Sequence, residues 1–374
     1  MTHDYFSPDF ATARRRFRAA VAAAGGELHS LPQGPESSEE NLLRTDIAWF
    51  GARHPRRALV HVCGIHGVEG FAGSAVQLAL LDKFPALPAD AALILVHVLN
   101  PYGMAHLRRG NGNNVDLNRN FFFGTSGWRG IPDGYAALSS FLNPPRPPSR
   151  INFFHLRLLL AEASLGTGAI RQAVAGGQYQ FPKGIFYGGN GLEPEPKLYS
   201  EWLAGHLGGI CDLFVIDVHT GLGGYGRQAL FLRSLSVDAD ALAGALDLPL
   251  ANPAAATDVM GYEHQGGHSG VYRQILPEAN LVCLTQEFGT YNGRRLLRAL
   301  RAENQHHHYG DGSLEHWSKR KLKRMFCPDD PQWRRQVILQ GRTLVERTVP
   351  VIFPTGRQTL ASLSPPGTTP ASRS

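Results

Sequence analysis

Residues 59–70 read LVHVCGIHGVEG, and this stretch decides the fold. Its first half is a continuous aliphatic and β-branched run, typical of a central strand that is covered on both faces. Its second half is a glycine-rich turn that presents His66 and Glu69 three residues apart. At that spacing, at the entrance of a helix, both side chains reach one point in space, as metal ligands must. The pair alone is weak evidence, because such pairs arise by chance in a chain with 16 histidines.

Similar apolar runs recur along the chain and alternate with helical patterns. The runs cover residues 93–99, 213–218, 229–232 and 281–284, and the helical patterns cover residues 8–24, 69–83, 196–206 and 294–305. This alternation predicts an α/β fold, with a mixed, mostly parallel central sheet that is flanked by helices.

The composition along the 374 residues predicts one catalytic domain, over residues 1–355, with a long insertion at about 122–191. The insertion is rich in proline and glycine and contains one helical pattern, at 153–164. A last helix is predicted at 333–345. Residues 356–374 are polar and proline-rich, which predicts a disordered tail.

Composition also narrows the partners and the location. The formal charge of +6 comes mostly from scattered arginines without a nucleic-acid motif, so we interpret them as a solvated surface and expect no nucleic-acid partner. No stretch approaches the length of a membrane span, and none resembles a signal peptide. The four cysteines lack metal-type spacing and are expected to be reduced thiols. A cytoplasmic protein without a membrane partner is the expectation, and the sequence leaves the oligomeric state open.

Two more strand ends carry reactive side chains. His219 follows the apolar run at 213–218 and precedes a glycine-rich turn, and a catalytic zinc takes three protein ligands, often from strand ends in α/β sheets. Glu287 is a lone carboxylate at the end of the run at 281–284, where a charge is costly unless it has a role or a partner.

A fourth polar segment, residues 100–121, reads NPYGMAHLRRGNGNNVDLNRNF. Its density of Asn and Arg fits a site that grips a carboxylate and stabilises an oxyanion, because Arg offers a rigid bidentate fork. The alternative is an Asn- and Gly-rich surface turn with incidental arginines.

Taken together, these features resemble the zinc carboxypeptidase family, with its carboxypeptidase A-like fold, and particularly its bacterial cytosolic branch. The resemblance covers residues 45–300 and rests on H-x-x-E at His66, R-x-N-x-N-x-V-D-L-N-R-N-F from Arg109, and the two strand-end residues, His219 and Glu287. It implies one zinc per chain, held by His66, Glu69 and His219, with Glu287 as the general base.

The resemblance also implies roles around the metal. Arg109 would hold the oxyanion, Asn118 and Arg119 would bind the terminal carboxylate of a substrate, and Asp116 would orient His66. The family's mobile tyrosine matches Tyr262, with Tyr272 as the second choice. Ser269 is expected to line the side-chain pocket, without selecting a particular residue.

Two departures bear on the substrate. Thr220 and Gly221 follow the third ligand, where pancreatic members have Ser and an aromatic residue, and the catalytic strand ends Glu287-Phe288-Gly289. That ending also resembles the succinylglutamate desuccinylase and aspartoacylase group. The sequence therefore predicts a metallocarboxypeptidase that acts on peptides with a free carboxylate. The alternatives are a zinc-dependent N-acyl amino acid deacylase and a metal-free binding module.

Two other groups are weaker candidates for chemistry. The cluster at residues 306–308 consists of three histidines on a helical pattern, but it lacks a third partner at a strand end. Cys63 lies three residues before His66 and is interpreted as a small buried hydrophobic residue.

Overall fold

The computed structural model describes residues 5–32, 43–83, 86–122, 127–168, 170, 172, 176–234, 237–251, 266–354 and 360–363. Seven strands of these residues form one sheet. The strands are β1 (Glu27–Pro32), β2 (Arg44–Gly51), β3 (Arg57–Cys63), β4 (Ala91–His97), β5 (Asp212–Gly221), β6 (Gln228–Leu232) and β7 (Asn280–Gly289).

The helices lie between the strands and after them. They are α1 (Phe10–Ala23), α2 (Gly70–Asp82), α3 (Pro101–Ala105), α4 (Tyr135–Leu142), α5 (Phe154–Leu165), α6 (Pro194–His206), α7 (Ala239–Leu246), α8 (Gly270–Ile275), α9 (Gly293–Tyr309), α10 (Trp317–Phe326) and α11 (Pro331–Ile352). Every strand and helix named in the sequence analysis has its counterpart here.

The sheet has the order β1-β2-β4-β3-β5-β7-β6. Its four central strands, β4, β3, β5 and β7, run parallel, and the outer strands β1, β2 and β6 pair antiparallel. The predicted α/β class with a mixed sheet is confirmed. Because β3, β5 and β7 are parallel neighbours, their carboxyl ends meet at one edge, where α/β sheets bind ligands.

Each face of the sheet is covered by its own hydrophobic cluster. One face packs against α1, α2 and α11 through residues such as Phe17, Phe71 and Trp333. The other face packs against α6 and α8 through residues such as Trp202 and Val271. Helix α2 is buried along almost its whole length, which explains why the sequence after Glu69 is apolar on all sides.

The predicted insertion forms a smaller cluster of its own. Tyr135, Phe141 and Phe154 pack together there, and Leu297 of α9 joins them. The backbone oxygen of Phe141 accepts a hydrogen bond from Arg301 Nε. The insertion is therefore attached to α9, at the edge of the sheet where the strand-end residues lie.

The end of the chain differs from the predicted disordered tail at four residues. Leu360–Leu363 form a short 3₁₀ helix, in which Leu360 is buried against the first cluster. The backbone oxygen of Leu363 accepts a hydrogen bond from the amide of Asp238. At these four residues, apolar contact outweighs the polar composition of the segment. Residues 355–359 and 364–374 lie outside the described residues.

Two further observations concern the cysteines and the helices. No disulfide links the four cysteines, all of which are described, and Cys63 is fully buried as expected. None of the helices in the described ranges is both long enough and apolar enough to cross a bilayer.

Candidate active site

Three strand ends bring the predicted metal ligands together. His66 follows β3 and begins a 3₁₀ turn, Gly67–Glu69, which leads into α2. His219 lies near the end of the neighbouring strand β5. All three side chains are buried, and their ligand atoms lie within 4.8 Å of one another. In the described part of the chain this is the one group of metal-ligand type.

The atoms that converge are the Nδ1 nitrogens of both histidines and the carboxylate of Glu69. His66 Nδ1 lies 3.0 Å from Glu69 Oε1, and His219 Nδ1 lies 3.3 Å from Glu69 Oε2. The two Nδ1 atoms are 3.2 Å apart. Two nitrogens and one carboxylate are the donor set of a catalytic zinc site with a position left for water.

The outer nitrogen of each histidine faces an aspartate. His66 Nε2 lies 3.0 Å from Asp116 Oδ1, and His219 Nε2 lies 2.9 Å from Asp217 Oδ2. When Nε2–H donates its hydrogen bond to the aspartate, a neutral ring turns the lone pair of Nδ1 toward Glu69. The lone pairs of the two Nδ1 atoms then repel each other and the Glu69 carboxylate, unless a cation or a proton lies among these atoms. The residues present therefore fit a divalent metal.

Arg109 borders this group with its guanidinium. Nη1 donates to Glu69 Oε1 at 2.9 Å and Nε to Asp116 Oδ2 at 3.1 Å, and Nη2 lies 2.8 Å from His66 Nε2. Although burial opposes it, the positive charge of Arg109 and the hydrogen bond with His66 hold the pKa of Asp116 well below its usual range. Asp116 thus stays an anion, able to orient both neighbours.

Glu287 lies beside the metal ligands but outside their cluster. It pairs with His219 across the β5–β7 ladder, and its Oε1 accepts a hydrogen bond of 2.9 Å from the amide of Leu222. Burial raises the pKa of Glu287 to about 7, the charge of Glu69 adds to that shift, and the amide of Leu222 and the charge of Arg109 oppose it. A carboxyl group with a near-neutral pKa can accept and release a proton at physiological pH.

The metal group, Arg109 and Glu287 open onto one cavity of about 1090 Å³. Its polar wall includes His66, Glu69, Arg109, Asn118, His219, Ser269 and Glu287. Its apolar wall comes from the insertion and from α9, with Leu158, Ile170, Phe186, Leu296, Leu297 and Leu300. A volume of this size holds a ligand of several residues.

The structure separates Asn118 from Arg119, which the sequence analysis treats as a pair. Asn118 lines the cavity, and its Oδ1 accepts a hydrogen bond of 3.0 Å from the amide of His268. Arg119 is 1% exposed, is absent from the cavity wall, and donates from Nη1 to the backbone oxygen of Asn118. Insertion residue Gly177 packs against its side chain, which no sequence pattern signals.

Of the two candidates for the mobile tyrosine, the structure describes Tyr272 alone. Tyr262 lies outside the described residues, so its role stays a prediction. Tyr272 is fully buried and its hydroxyl lies 3.1 Å from His268 Nε2 and 2.7 Å from the hydroxyl of Tyr199. A hydroxyl held at both sides within the core is not a mobile group.

Asp217 and His268 are not among the site residues predicted from the sequence. Oδ2 of Asp217 contacts both His219 Nε2 and His268 Nδ1, the latter at 3.2 Å. Asp217 could have been found, because residues two apart on a strand share a face and it lies two before His219. His268 lies about fifty residues along the chain from both, so only the fold brings it there.

The triple-histidine segment is not a metal site in this structure. His306 is buried, its Nε2 bonds the backbone oxygen of Ser313, and its ring stacks on His316 at 3.9 Å. These contacts describe a packed helix end.

We predict that Asp217→Asn weakens metal binding by about 10-fold to 100-fold, because the amide no longer fixes the Nε2 proton of His219. Titration of the apo-protein with zinc, monitored by calorimetry, measures this change. Asp212→Asn is the matched control, since Asp212 is a buried aspartate at the opposite end of β5. Equal affinities of the Asp217 variant and the wild type would contradict the role given to Asp217.

Comparisons with known proteins agree with the superfamily recognised in the sequence. Murein peptide amidase A of Escherichia coli (strain K12) is 32% identical over 102 residues, which are 27% of this chain and 41% of that protein. The match thus spans less than half of that relative. The resemblance to the zinc carboxypeptidase-like superfamily is confirmed.

Two solved structures are similar over most of the chain. Murein-tripeptide amidase from Escherichia coli O157 is 19% identical with a TM-score of 0.37, and the match covers 78% of this chain and 96% of that one. Bovine thrombin-activatable fibrinolysis inhibitor is 13% identical with a TM-score of 0.46, covering 92% and 97%.

A protein family, described as "Protein of unknown function (DUF2817)", matches residues 6–340. That range includes all seven strands and every side chain of the metal group. The chain belongs to this family.

Proposed function

We propose that the protein is a zinc metallocarboxypeptidase, which removes the C-terminal amino acid of a peptide and binds one zinc per chain. The observation that carries the proposal is a single cavity onto which the metal group, Glu287, Asn118 and cationic side chains all open. Hydrolysis needs the metal group and Glu287, and recognition of a terminal carboxylate needs Asn118 and the cationic side chains. The relative reported above, murein peptide amidase A, is named as an enzyme that cleaves amide bonds.

Each catalytic step is assigned to a residue near the carboxyl ends of the parallel strands. When bound, zinc polarises a carbonyl and lowers the pKa of water to about 7. The Glu287 carboxylate accepts a proton from the attacking water and then donates it to the leaving amine. Arg109 Nη groups, at the cavity wall, stabilise the negative charge that develops on the carbonyl oxygen.

Arg233 is the side chain that we propose for binding the terminal carboxylate, together with the Asn118 amide. Arg233 lines the cavity, and its Nε donates to Thr285 Oγ1 at 3.2 Å. Thr285 lies two residues before Glu287 on the same strand face, a spacing of about 6.6 Å. One amino acid spans about 3.8 Å and a charged hydrogen bond adds about 2.8 Å, so a C-terminal residue bridges that spacing.

We predict that the wild type cleaves a peptide with a free C-terminus at least about tenfold more efficiently than the same peptide amidated, measured as kcat/KM. A hydrogen bond to a charged group is worth about 1.5–3 kcal/mol, which corresponds to that factor or more. Arg233→Ala should remove the preference by losing activity on the free peptide only.

Arg119→Ala is the matched variant for this experiment, because it removes a second arginine behind the same cavity wall. It should lower activity on both peptides by a similar factor, since Arg119 contacts the backbone of Asn118. If Arg119→Ala erased the preference and Arg233→Ala kept it, Arg119 would be the carboxylate anchor, as the sequence resemblance implies. Equal activity of the wild type on both peptides would contradict the carboxypeptidase assignment.

A zinc-dependent N-acyl amino acid deacylase is the second candidate. The observation that favours it is the strand ending Glu287-Phe288-Gly289, which resembles the succinylglutamate desuccinylase and aspartoacylase group. The same metal group and base would serve both reactions. A panel of short peptides and N-acyl amino acids, assayed with and without a chelator, separates the two activities.

A further inference from the structure

Helix α5 of the insertion and the residues just before it expose a group of large apolar side chains. They are Ile151 (89% exposed), Phe153 (72%), Leu156 (54%), Leu159 (57%) and Leu160 (62%), and we call this group the α5 outer face. Solvent-exposed leucines are common singly, whereas a contiguous set marks an interaction site.

The α5 outer face is not the side by which the helix packs onto the protein. The inner side buries Phe154 and Leu158 in the cluster of the insertion. A helix that is apolar on both sides is normally enclosed on both. The outer face is therefore available to a partner that offers an apolar environment.

Positive charge surrounds the α5 outer face. Residues 144–166 contain Arg146, Arg150 and Arg157 but a single acidic side chain, Glu162, which pairs with Arg294 at 2.7 Å. The next helices add further cations: Arg298 Nη2 donates to the backbone oxygen of Arg150, and Lys321 and Arg150 both lie over the ring of Trp317. Arg294 and Arg298, which belong to the arginines interpreted as a solvated surface, thus lie beside this apolar group.

We propose that the α5 outer face docks onto the surface of an anionic lipid bilayer. Leucine and phenylalanine side chains enter the boundary between headgroups and acyl chains, while the flanking arginines bind anionic headgroups. A second copy of the chain fits less well, because a twofold contact through this face would set its cations against one another. The inference concerns binding alone and does not depend on the proposed activity.

Docking in this way places the cavity next to the membrane surface. Leu158 and Glu162, on the inner side of α5, line the cavity that contains the metal group. The same helix thus borders the cavity on one side and carries the apolar residues on the other.

Co-sedimentation of the full-length protein with vesicles tests the proposal. The vesicles contain either phosphatidylcholine alone or equal parts of phosphatidylcholine and phosphatidylglycerol. We expect binding to the anionic vesicles, at least about tenfold weaker binding to the neutral ones, and loss of binding as the salt concentration rises. The double variant Leu159→Ser and Leu160→Ser should weaken binding at least about tenfold.

Leu339→Ser is the matched control, because Leu339 lies on α11 and is 57% exposed, the same fraction as Leu159. It should bind like the wild type, and thermal melting and zinc content verify that all variants are folded. Three outcomes would overturn the proposal: no binding to either vesicle, equal binding to both, or an equal loss in the Leu339 variant. Self-association in sedimentation velocity without lipid, abolished by the double serine variant, would instead assign the face to a second copy.

Discussion

A Glu287→Gln variant is expected to bind zinc as the wild type does and to lose turnover by about 10²-fold to 10⁴-fold. The side chain lies outside the metal group, so its amide leaves the three ligand atoms in place. The amide keeps the shape and can no longer accept the proton of the attacking water. Steady-state kinetics and elemental analysis on the same sample measure both quantities.

The pH profile sharpens this prediction. Glu287 acts as a base only when deprotonated, so kcat/KM should be low in acid and rise with pH up to the pKa of this group. Burial raises the pKa of Glu287 to about 7, whereas a bound cation beside it favours the anion. The midpoint of the rise in kcat/KM should therefore lie at or below about pH 7.

Glu195 provides the matched control for Glu287. Burial likewise raises the pKa of this carboxyl group to about 7, but its partner is Asn111, outside the cavity wall. Glu195→Gln should leave the pH profile of turnover unchanged. Near-normal turnover in the Glu287 variant, or an equal loss in the Glu195 variant, would show that Glu287 is not the base.

Much of the candidate site could be predicted because each proposed metal ligand belongs to a local pattern. His66 and Glu69 share a turn, and His219 and Glu287 end apolar runs that can only be buried strands. Parallel strands bring such ends to one edge, so the convergence of these four residues follows from the fold class.

What the sequence did not predict depends on contacts between distant segments. The position of His268 against Asp217, and the burial of Arg119 beneath Gly177, involve loops whose paths no local pattern fixes. Strands β1 and β2 were also missed. Their half-exposed or polar residues, such as His29 and Asp46, interrupt the apolar runs, and Asp46 is stabilised by Arg14 and Arg18 from α1 and by Ser30 of β1.

Replacing His66 or His219 with Ala should abolish metal binding, lowering the zinc content from about one per chain to nearly none. Two donors remain in either variant, and a catalytic zinc site needs three protein ligands. Turnover should fall by roughly 10³-fold or more, since water without a metal keeps its pKa of about 15.7. His306→Ala removes a buried histidine of the rejected cluster and should retain both zinc and activity. Full occupancy in both ligand variants, measured by elemental analysis, would refute the ligand assignment. Zinc loss in the His306 variant alone would assign the metal to the end of α9. Glu287 would then have no cation beside the water that it deprotonates.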